Sequence, residues 1–395
     1  MPGDADQSYE FDIEELEYLR HGGTPYLARV FRPRGKGPFP AVVEAHGGAW
    51  IAGNRAVNDP INREVAKGGV VVAALDFRNP PEATYPGSVA DINYGVRWLK
   101  ANAARFATRP EWVGSMGTSS GGHLVVLAAL KPADPRYAAI PLAGGAAFDA
   151  RVAYVVAMWP VICPPSRYRA RKANPTAMQG RGSPGGAIGN EDRYWLTEAA
   201  MEEGSPNFAV QRGDAIATPH ILYLQNPEDP LHPRAHLESF VAGYRKMGGT
   251  VQLEFFEGPK YDVIRSDPAS PVARASVTKI VAFIRAETTA RAPGAAAVGV
   301  AGHSKMTPQR RHGTHSWWHH RPFRRRPHRD RASADTASRL IPSLFSHDSC
   351  AFVLRDAILA VRSDRPQDER FDLESKNPFA LRAMWASRRA RPKHG

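Results

Sequence analysis

Residues 117–121, GTSSG, have the residue types and spacing that a serine nucleophile requires. The pentapeptide follows EWVGSM, an apolar run that predicts a strand, and precedes HLVVLAAL, which predicts a buried helix. A tight turn between strand and helix leaves no room for side chains beside Ser119, which accounts for Gly117 and Gly121, and it exposes the hydroxyl above a helix N-terminus that favours negative charge. The pattern alone is common, so its position between a strand and a helix carries the prediction that Ser119 attacks a carbonyl carbon.

The loop at residues 46–50, HGGAW, supplies a second element of the same chemistry. Acyl transfer needs hydrogen-bond donors directed at the oxyanion of the tetrahedral intermediate. Backbone N–H groups of a glycine turn provide such donors, and this loop directly follows AVVEA, a predicted strand. We predict that Gly47 and Gly48 donate to the oxyanion and that the N–H of Ser120 donates from the serine turn. The loop precedes the serine by two predicted strands, which is the chain order expected of such a pair.

The elements that must position these motifs alternate along the chain. Two stretches joined by a His-Gly-Gly turn, FDIEELEYLR and TPYLARVFRP, predict a pair of strands. Further strands are predicted at AVVEAH, GVVVAALDF, EWVGSM, VAYVVAMWP, PHILYLQN and TVQLEFFEG. Helices are predicted at SVADINYGVRWLKANAARF, HLVVLAAL, ESFVAGYRKMGG and ASVTKIVAFIRAE. Strands that alternate with helices imply an α/β fold with a doubly wound, mostly parallel sheet.

Two regions depart from this alternation. Residues 163–213 are rich in Arg, Gly and Pro, with one helix predicted near residues 195–203, and we interpret them as a small cap inserted over the site. Residues 289–395 are dense in Arg, His and Pro without sustained periodicity, which predicts a disordered basic tail. The chain is therefore divided into an α/β domain over residues 1–288 and a tail over residues 289–395.

The net charge of +13 resides almost entirely in that tail. Residues 291–395 contain 21 Lys and Arg against 9 Asp and Glu, while the first 290 residues contain 31 against 30. Because the α/β domain is nearly neutral, we expect it not to bind nucleic acid. An anion-binding role of the tail stays open as a third hypothesis, and it predicts a strong dependence on salt.

Several stretches together carry a family resemblance: EAHGGAWIAGN, ALDFR, YPGSVADINYGVRWLKANA and GTSSGGHL. With these, residues 9–286 resemble the esterase/lipase branch of the α/β-hydrolases, the group related to hormone-sensitive lipase and to kynurenine formamidase. The resemblance covers nearly three-quarters of the chain and none of the tail. It implies hydrolysis of a carboxylic ester, or less often of an amide, without a metal or cofactor.

The resemblance also implies where the acid and the base of the site should lie. The acid follows the strand before the last helix–strand pair, and in LQNPEDPLHP this position is Asp229, with Glu228 as a neighbouring substitute. The base is a histidine in the loop after the last strand. In this chain that loop reads FEGPKYDV, and Tyr261 occupies the histidine position. Because an unperturbed tyrosine has a pKa of about 10, it is a poor base at neutral pH.

The first 290 residues contain six histidines, which limits the alternatives: His21, His46, His123, His220, His232 and His236. His46 belongs to the oxyanion loop, and His220 opens a strand and is better explained as structural. His232 is the one candidate that could reach the active-site face, and it is the less favoured interpretation. Without a histidine, a serine hydrolase loses on the order of 10⁶ in kcat.

Two main hypotheses follow from these motifs. The first is a serine carboxylic-ester hydrolase that acts on a small-molecule ester and is weakened by Tyr261. The second is an inactive protein of the same fold that binds a ligand or a partner. No run reaches the roughly 20 apolar residues of a membrane helix, the N-terminal sequence lacks a secretory pattern, and only two cysteines are present. The cytoplasm is therefore the expected location, and the sequence does not indicate the oligomeric state.

Overall fold

The computed structural model describes residues 8–142, 144, 147–174 and 186–291. The eight strands of this part are β1 (Phe11–His21), β2 (Thr24–Pro33), β3 (Ala41–Ala45), β4 (Val71–Leu75), β5 (Val113–Thr118), β6 (Tyr154–Met158), β7 (His220–Gln225) and β8 (Val251–Phe255). Its helices are α1 (Asp59–Lys67), α2 (Gly87–Ala101), α3 (Ser119–Leu130), α4 (Pro164–Ala173), α5 (Gly186–Trp195), α6 (Glu198–Glu203), α7 (Pro206–Arg212), α8 (Arg234–Lys246), α9 (Val263–Ser266) and α10 (Pro271–Thr289). The 3₁₀ turn Pro110–Trp112 precedes β5.

The strands form one sheet in the order β1-β2-β4-β3-β5-β6-β7-β8. The first two pairings, β1 with β2 and β2 with β4, are antiparallel. All pairings from β4 across to β8 are parallel. The α/β fold with a doubly wound, mostly parallel sheet is therefore confirmed. Parallel strands bring their carboxyl ends to one edge, so the loops after β3, β5 and β7 meet there.

Two apolar layers cover the faces of the sheet. One contains side chains of α2, α3 and α8, such as Leu99, Leu127 and Phe240, which are fully buried. The other contains side chains of α1 and α10, such as Val65 and Ile284. The central strands β3 to β6 are buried along their whole length because helices shield both of their faces.

The region predicted as a cap contains four short helices, α4 to α7, inserted between β6 and β7. The single helix predicted near residues 195–203 was wrong in detail, because α5 ends at Trp195 and α6 begins at Glu198. The break follows from the φ of 61° at Leu196, a conformation that a helix cannot contain. Helix α1, which begins with Asp59-Pro60, was not predicted from the sequence.

The predicted tail falls outside the described residues, apart from its first three, 289–291. The division at residue 288 therefore stays a prediction, and α10 extends to Thr289. Among the described residues, no helix has the length and apolar character needed to cross a membrane.

Candidate active site

The turn between β5 and α3 has the geometry expected around Ser119. Thr118 ends β5, and α3 begins at Ser119 itself, whose φ of 51° is a strained value for a non-glycine residue. A Cβ at Gly121 would lie 2.1 Å from the Ala45 carbonyl oxygen, and a Cβ at Gly117 would lie 2.7 Å from the Gly121 carbonyl oxygen. Both glycines are therefore required by close backbone packing, as the sequence predicted.

Three side chains form a hydrogen-bonded series at this edge of the sheet. Ser119 Oγ lies 3.1 Å from His232 Nε2. On the other side of the ring, His232 Nδ1 lies 2.7 Å from Asp229 Oδ2. Asp229 and His232 are both buried, so bulk water competes little for either contact. The arrangement is that of a serine nucleophile, a base within reach and a carboxylate that orients the base.

The short turn after β7 places the acid and the base only three residues apart. Asp229 Oδ1 accepts hydrogen bonds from the backbone N–H groups of Leu231, at 2.7 Å, and His232, at 3.1 Å. This local turn folds the chain back and brings the imidazole onto the second carboxylate oxygen. Gln225, the last residue of β7, donates from Nε2 to the His232 carbonyl oxygen at 2.7 Å and fixes the far end of the turn.

Tyr261 does lie in the loop after β8, where the resemblance implied a histidine, but it is not the residue in contact with Ser119. Its ring centroid lies 5.6 Å from that of His232 and 6.4 Å from that of Trp159. Tyr261 therefore packs beside the imidazole that the turn after β7 supplies. The less favoured candidate, His232, is therefore the histidine that lies within hydrogen-bonding distance of Ser119 Oγ.

The pKa of His232 is lowered, chiefly because burial disfavours the imidazolium. Hydrogen bonding and charge from Asp229 oppose this shift, and the positive charges of Arg167 and Arg171 add to it. A lowered pKa keeps the ring neutral at neutral pH, which is the state that can accept the proton of Ser119.

The other five histidines of the described residues lie in different surroundings. His21 and His220 pair with the carboxylates of Asp91 and Glu287. The pKa of His123 is lowered to about 4 by burial, and its ring accepts from Trp50 Nε1 while its other nitrogen donates to the Gly204 carbonyl. His46 and His236 remain, the first within the oxyanion loop and the second on the wall of a pocket described below.

The oxyanion loop differs in one donor from the sequence prediction. The N–H of Gly47 donates to Thr118 Oγ1 at 3.0 Å, so this group is already occupied. Gly48 has a φ of 137°, and a Cβ there would lie 1.8 Å from the Ala52 carbonyl oxygen. Ala49 follows with a φ of 53°. Unlike that of Gly47, the N–H groups of Gly48 and Ala49 donate to no atom of the described residues, so they are better placed as donors to an oxyanion.

The loop also rests on a buried polar network. Asn58 Nδ2 donates both to Thr118 Oγ1, at 2.9 Å, and to Glu44 Oε1, at 2.7 Å. Asn62 Nδ2 lies 3.2 Å from Glu44 Oε2. Burial raises the pKa of Glu44 to about 7, although the two amide donors act in the opposite direction. Sequence analysis gave no sign of this network, because its members are separated along the chain by up to about seventy residues.

A small cavity lies on the cap side of the base, with a volume of about 10 Å³. Its walls come from the loop after β6, from α4, from β7 and from the turn that holds His232. A cavity of roughly 10–15 Å³ holds about one water molecule, so this space is far smaller than a ligand site. Within the described residues, no group of three His, Cys, Asp or Glu side chains is arranged to hold a metal ion.

Comparison with solved structures identifies the fold. The chain is similar to a hyperthermophilic esterase from the archaeon Pyrobaculum calidifontis, with a TM-score of 0.57, 24% identity and coverage of 72% of this chain and 88% of that one. A thermostable esterase from Pseudomonas putida gives a TM-score of 0.56 at 20% identity, over 72% and 84% of the two chains. The fold is therefore that of the α/β-hydrolases, as the sequence resemblance implied.

Sequence comparison finds relatives that are named as esterases. The family model described as BD-FAE matches residues 30–161, which include the oxyanion loop and the serine turn. A probable carboxylic ester hydrolase of Mycobacterium tuberculosis, LipM, is 33% identical over 31% of this chain and 29% of its own length. The isoprenylcysteine alpha-carbonyl methylesterase of Arabidopsis thaliana is 31% identical over 34% and 32%. The chain thus spans about a third of the length of these curated relatives, and the matched family region ends before Asp229 and His232.

Proposed function

We propose that the protein is a serine carboxylic-ester hydrolase that acts through an acyl-enzyme on Ser119. The observation that carries the proposal is the hydrogen-bonded series from Ser119 Oγ through His232 to Asp229, with contacts of 3.1 and 2.7 Å. The named relatives add support for esters over amides, since LipM is described as a probable carboxylic ester hydrolase.

In the proposed mechanism, neutral His232 accepts the proton of Ser119 as the hydroxyl oxygen attacks the ester carbonyl. The oxyanion of the tetrahedral intermediate accepts hydrogen bonds from the N–H groups of Gly48, Ala49 and Ser120. The N–H of Ala49 thus replaces that of Gly47, which the sequence predicted as a donor. The imidazolium then protonates the leaving alcohol. A water molecule then attacks the acyl-enzyme by the same steps, and Asp229 stabilises the imidazolium during both acylation and deacylation.

The natural substrate of the proposed reaction is a small-molecule ester, in keeping with the description of LipM as a probable carboxylic ester hydrolase. The cytoplasm remains the proposed location, and it rests on the sparse use of cysteine, with Cys163 buried and unpaired. The inactive binding protein remains as the alternative, and the same experiment decides between the two.

The test is hydrolysis of p-nitrophenyl acetate and butyrate by the full chain beside Ser119→Ala, His232→Ala and Tyr261→Phe. We expect turnover by the parent, a fall on the order of 10⁶ in kcat for the first two variants, and retention of activity by the third. Tyr261→Phe keeps the ring beside His232 and removes only the hydroxyl. An inert parent would favour the inactive binding protein, whereas activity that survives Ser119→Ala would contradict Ser119 as the nucleophile.

A further inference from the structure

Arg167, a buried residue of the cap helix α4, connects the cap to two parts of the proposed active site. The residue is 5% exposed. Its guanidinium carbon lies 5.3 Å from a ring centroid of Trp50, the last residue of the HGGAW loop. Its side chain also lines the water-sized cavity on the cap side of His232. One cap residue therefore contacts the oxyanion loop and lies beside the base.

The charge of Arg167 is only partly neutralised. Its Nε and Nη2 donate to Glu191 Oε1 at 3.0 and 2.8 Å, and Arg171 Nη1 donates to the same oxygen at 3.1 Å. Burial lowers the pKa of Arg171 to about 10, so this group still carries its charge at neutral pH. The three side chains therefore have a net charge of +1, although each is no more than 10% exposed. A buried excess charge is costly, so stability alone does not account for the second arginine.

The groups around His232 determine how this charge acts on the base. Within the described residues, the titratable and charged side chains that face the imidazole are Asp229 in its own turn, Tyr223 of β7, His236 of α8, Tyr261 in the loop after β8, and Arg167 with Arg171 of α4. Burial lowers the pKa of His236 to about 4 and raises that of Tyr223, so both are uncharged at neutral pH. Asp229 favours the imidazolium, whereas the two arginines disfavour it.

The oxyanion loop needs support at the place where Arg167 contacts it. Ala49 and Trp50 have φ values of 53° and 62°, which are strained for residues with a side chain and persist only where the surroundings hold them. A guanidinium over an indole ring is an attractive contact, and it is stronger where water is excluded. Building on the proposed esterase function, we propose that Arg167 is a positioning residue that holds Trp50 and the oxyanion loop in place and keeps His232 neutral.

The test is the pH dependence of kcat and kcat/KM for p-nitrophenyl butyrate, measured on the full chain and on variants of Arg167. Arg167→Met removes the charge but leaves Arg171 paired with Glu191, so the cap keeps an ion pair. Its acid midpoint in kcat/KM should rise by about half a pH unit or more, because a like charge beside the imidazolium is lost. Its kcat should fall by about tenfold, because the oxyanion donors lose a support.

Two further variants separate charge from folding. Arg167→Lys keeps the charge and should retain the acid midpoint of the parent. Arg167→Gln removes the charge but can still donate to Glu191, so the rise in midpoint should appear in it even if Arg167→Met does not fold. Circular dichroism and urea unfolding report the folded state of each variant.

The matched control is Arg169→Met. Arg169 lies on the same helix but is half-exposed, and its ion pairs are with Glu198 and Glu202 of α6 rather than with Glu191. The control should retain both the midpoint and kcat. The proposal is overturned if the uncharged variants and Arg167→Lys lose kcat equally with no movement of the midpoint, which is the result of a purely structural role. A midpoint that moves as far in Arg169→Met would overturn it as well.

Nuclear magnetic resonance titration of the His232 ring keeps this test separate from the test of the proposed function. The ring is followed in Ser119→Ala with and without Arg167→Gln, and His232→Gln assigns its signal. The pKa of His232 should be higher by about half a unit or more without the arginine. If no ester is hydrolysed but this difference is seen, the esterase proposal fails and the action of Arg167 on the imidazole stands. If esters are hydrolysed and neither the midpoint nor the titration moves, the role of Arg167 fails alone.

Discussion

Replacing Glu44 by glutamine should change how the stability of the protein depends on pH. The Glu44 carboxyl is 1% exposed, and burial raises its pKa to about 7 from 4.5. A carboxyl with a raised pKa binds its proton more tightly in the folded state than in the unfolded state. Its contribution is therefore most favourable below the unfolded pKa and is lost as the pH rises from about 4.5 through 7.

The size of the effect follows from the shift. Each pKa unit corresponds to about 1.4 kcal/mol, so the wild type should lose roughly 2–3 kcal/mol of its free energy of unfolding between pH 5 and pH 8 through this group alone. Glu44→Gln removes the ionisation and should abolish that loss. The amide that is introduced can be accommodated, because Asn58 Oδ1 and Asn62 Oδ1 are buried acceptors without a partner.

The assay is reversible urea unfolding of the wild type and of Glu44→Gln at pH 5, 6, 7 and 8. The control is Glu64→Gln, which changes a half-exposed glutamate on α1 that pairs with Lys67 across one helical turn. The difference in unfolding free energy between Glu44→Gln and the wild type should grow with pH in favour of the variant, while the control should follow the wild type. A difference that is independent of pH would refute the assignment of a buried, proton-binding Glu44.

Three further predictions concern the proposed reaction. Asp229→Asn should lower kcat by about 10⁴ with little change in fold, because the amide holds the wrong tautomer of His232. Steady-state kinetics and circular dichroism measure these two effects, and a loss of kcat below about tenfold would contradict the role of Asp229. Since burial lowers the pKa of His232, kcat/KM for a p-nitrophenyl ester should fall with acid through a midpoint below 6.5, and a midpoint above 6.5 would argue against a buried neutral base. Thr118→Val should lower kcat by about tenfold or more, because the hydrogen bond from the Gly47 N–H is lost. The control, Thr108→Val, removes a buried hydroxyl that has no partner and should leave kcat unchanged.

Most of the fold was accessible from the sequence because its signals are local. The apolar runs of β3 and β4 predicted buried strands, and the apolar stretch after the serine predicted α3. The glycines at 117 and 121 likewise predicted the turn, since close backbone packing excludes any side chain there. The cap was less accessible, because the short helices α5 and α6 are set by contacts with the domain beneath them. Trp50, for example, stacks on Tyr194 with ring centroids 5.5 Å apart.

The sequence by itself predicted the candidate nucleophile and the oxyanion loop, each from a short pattern beside a recognisable element, and the family resemblance added the candidate acid. Only the tertiary structure showed which histidine lies beside the candidate nucleophile. His232 lies 113 residues from Ser119 along the chain, and the turn that joins it to Asp229 has no periodic signal. It also decided which N–H of the oxyanion loop is already engaged, since the partner of Gly47 is Thr118, 71 residues away. The physical reason is the same in both cases: backbone propensity acts over a few residues, whereas the direction of a side chain depends on what packs around it.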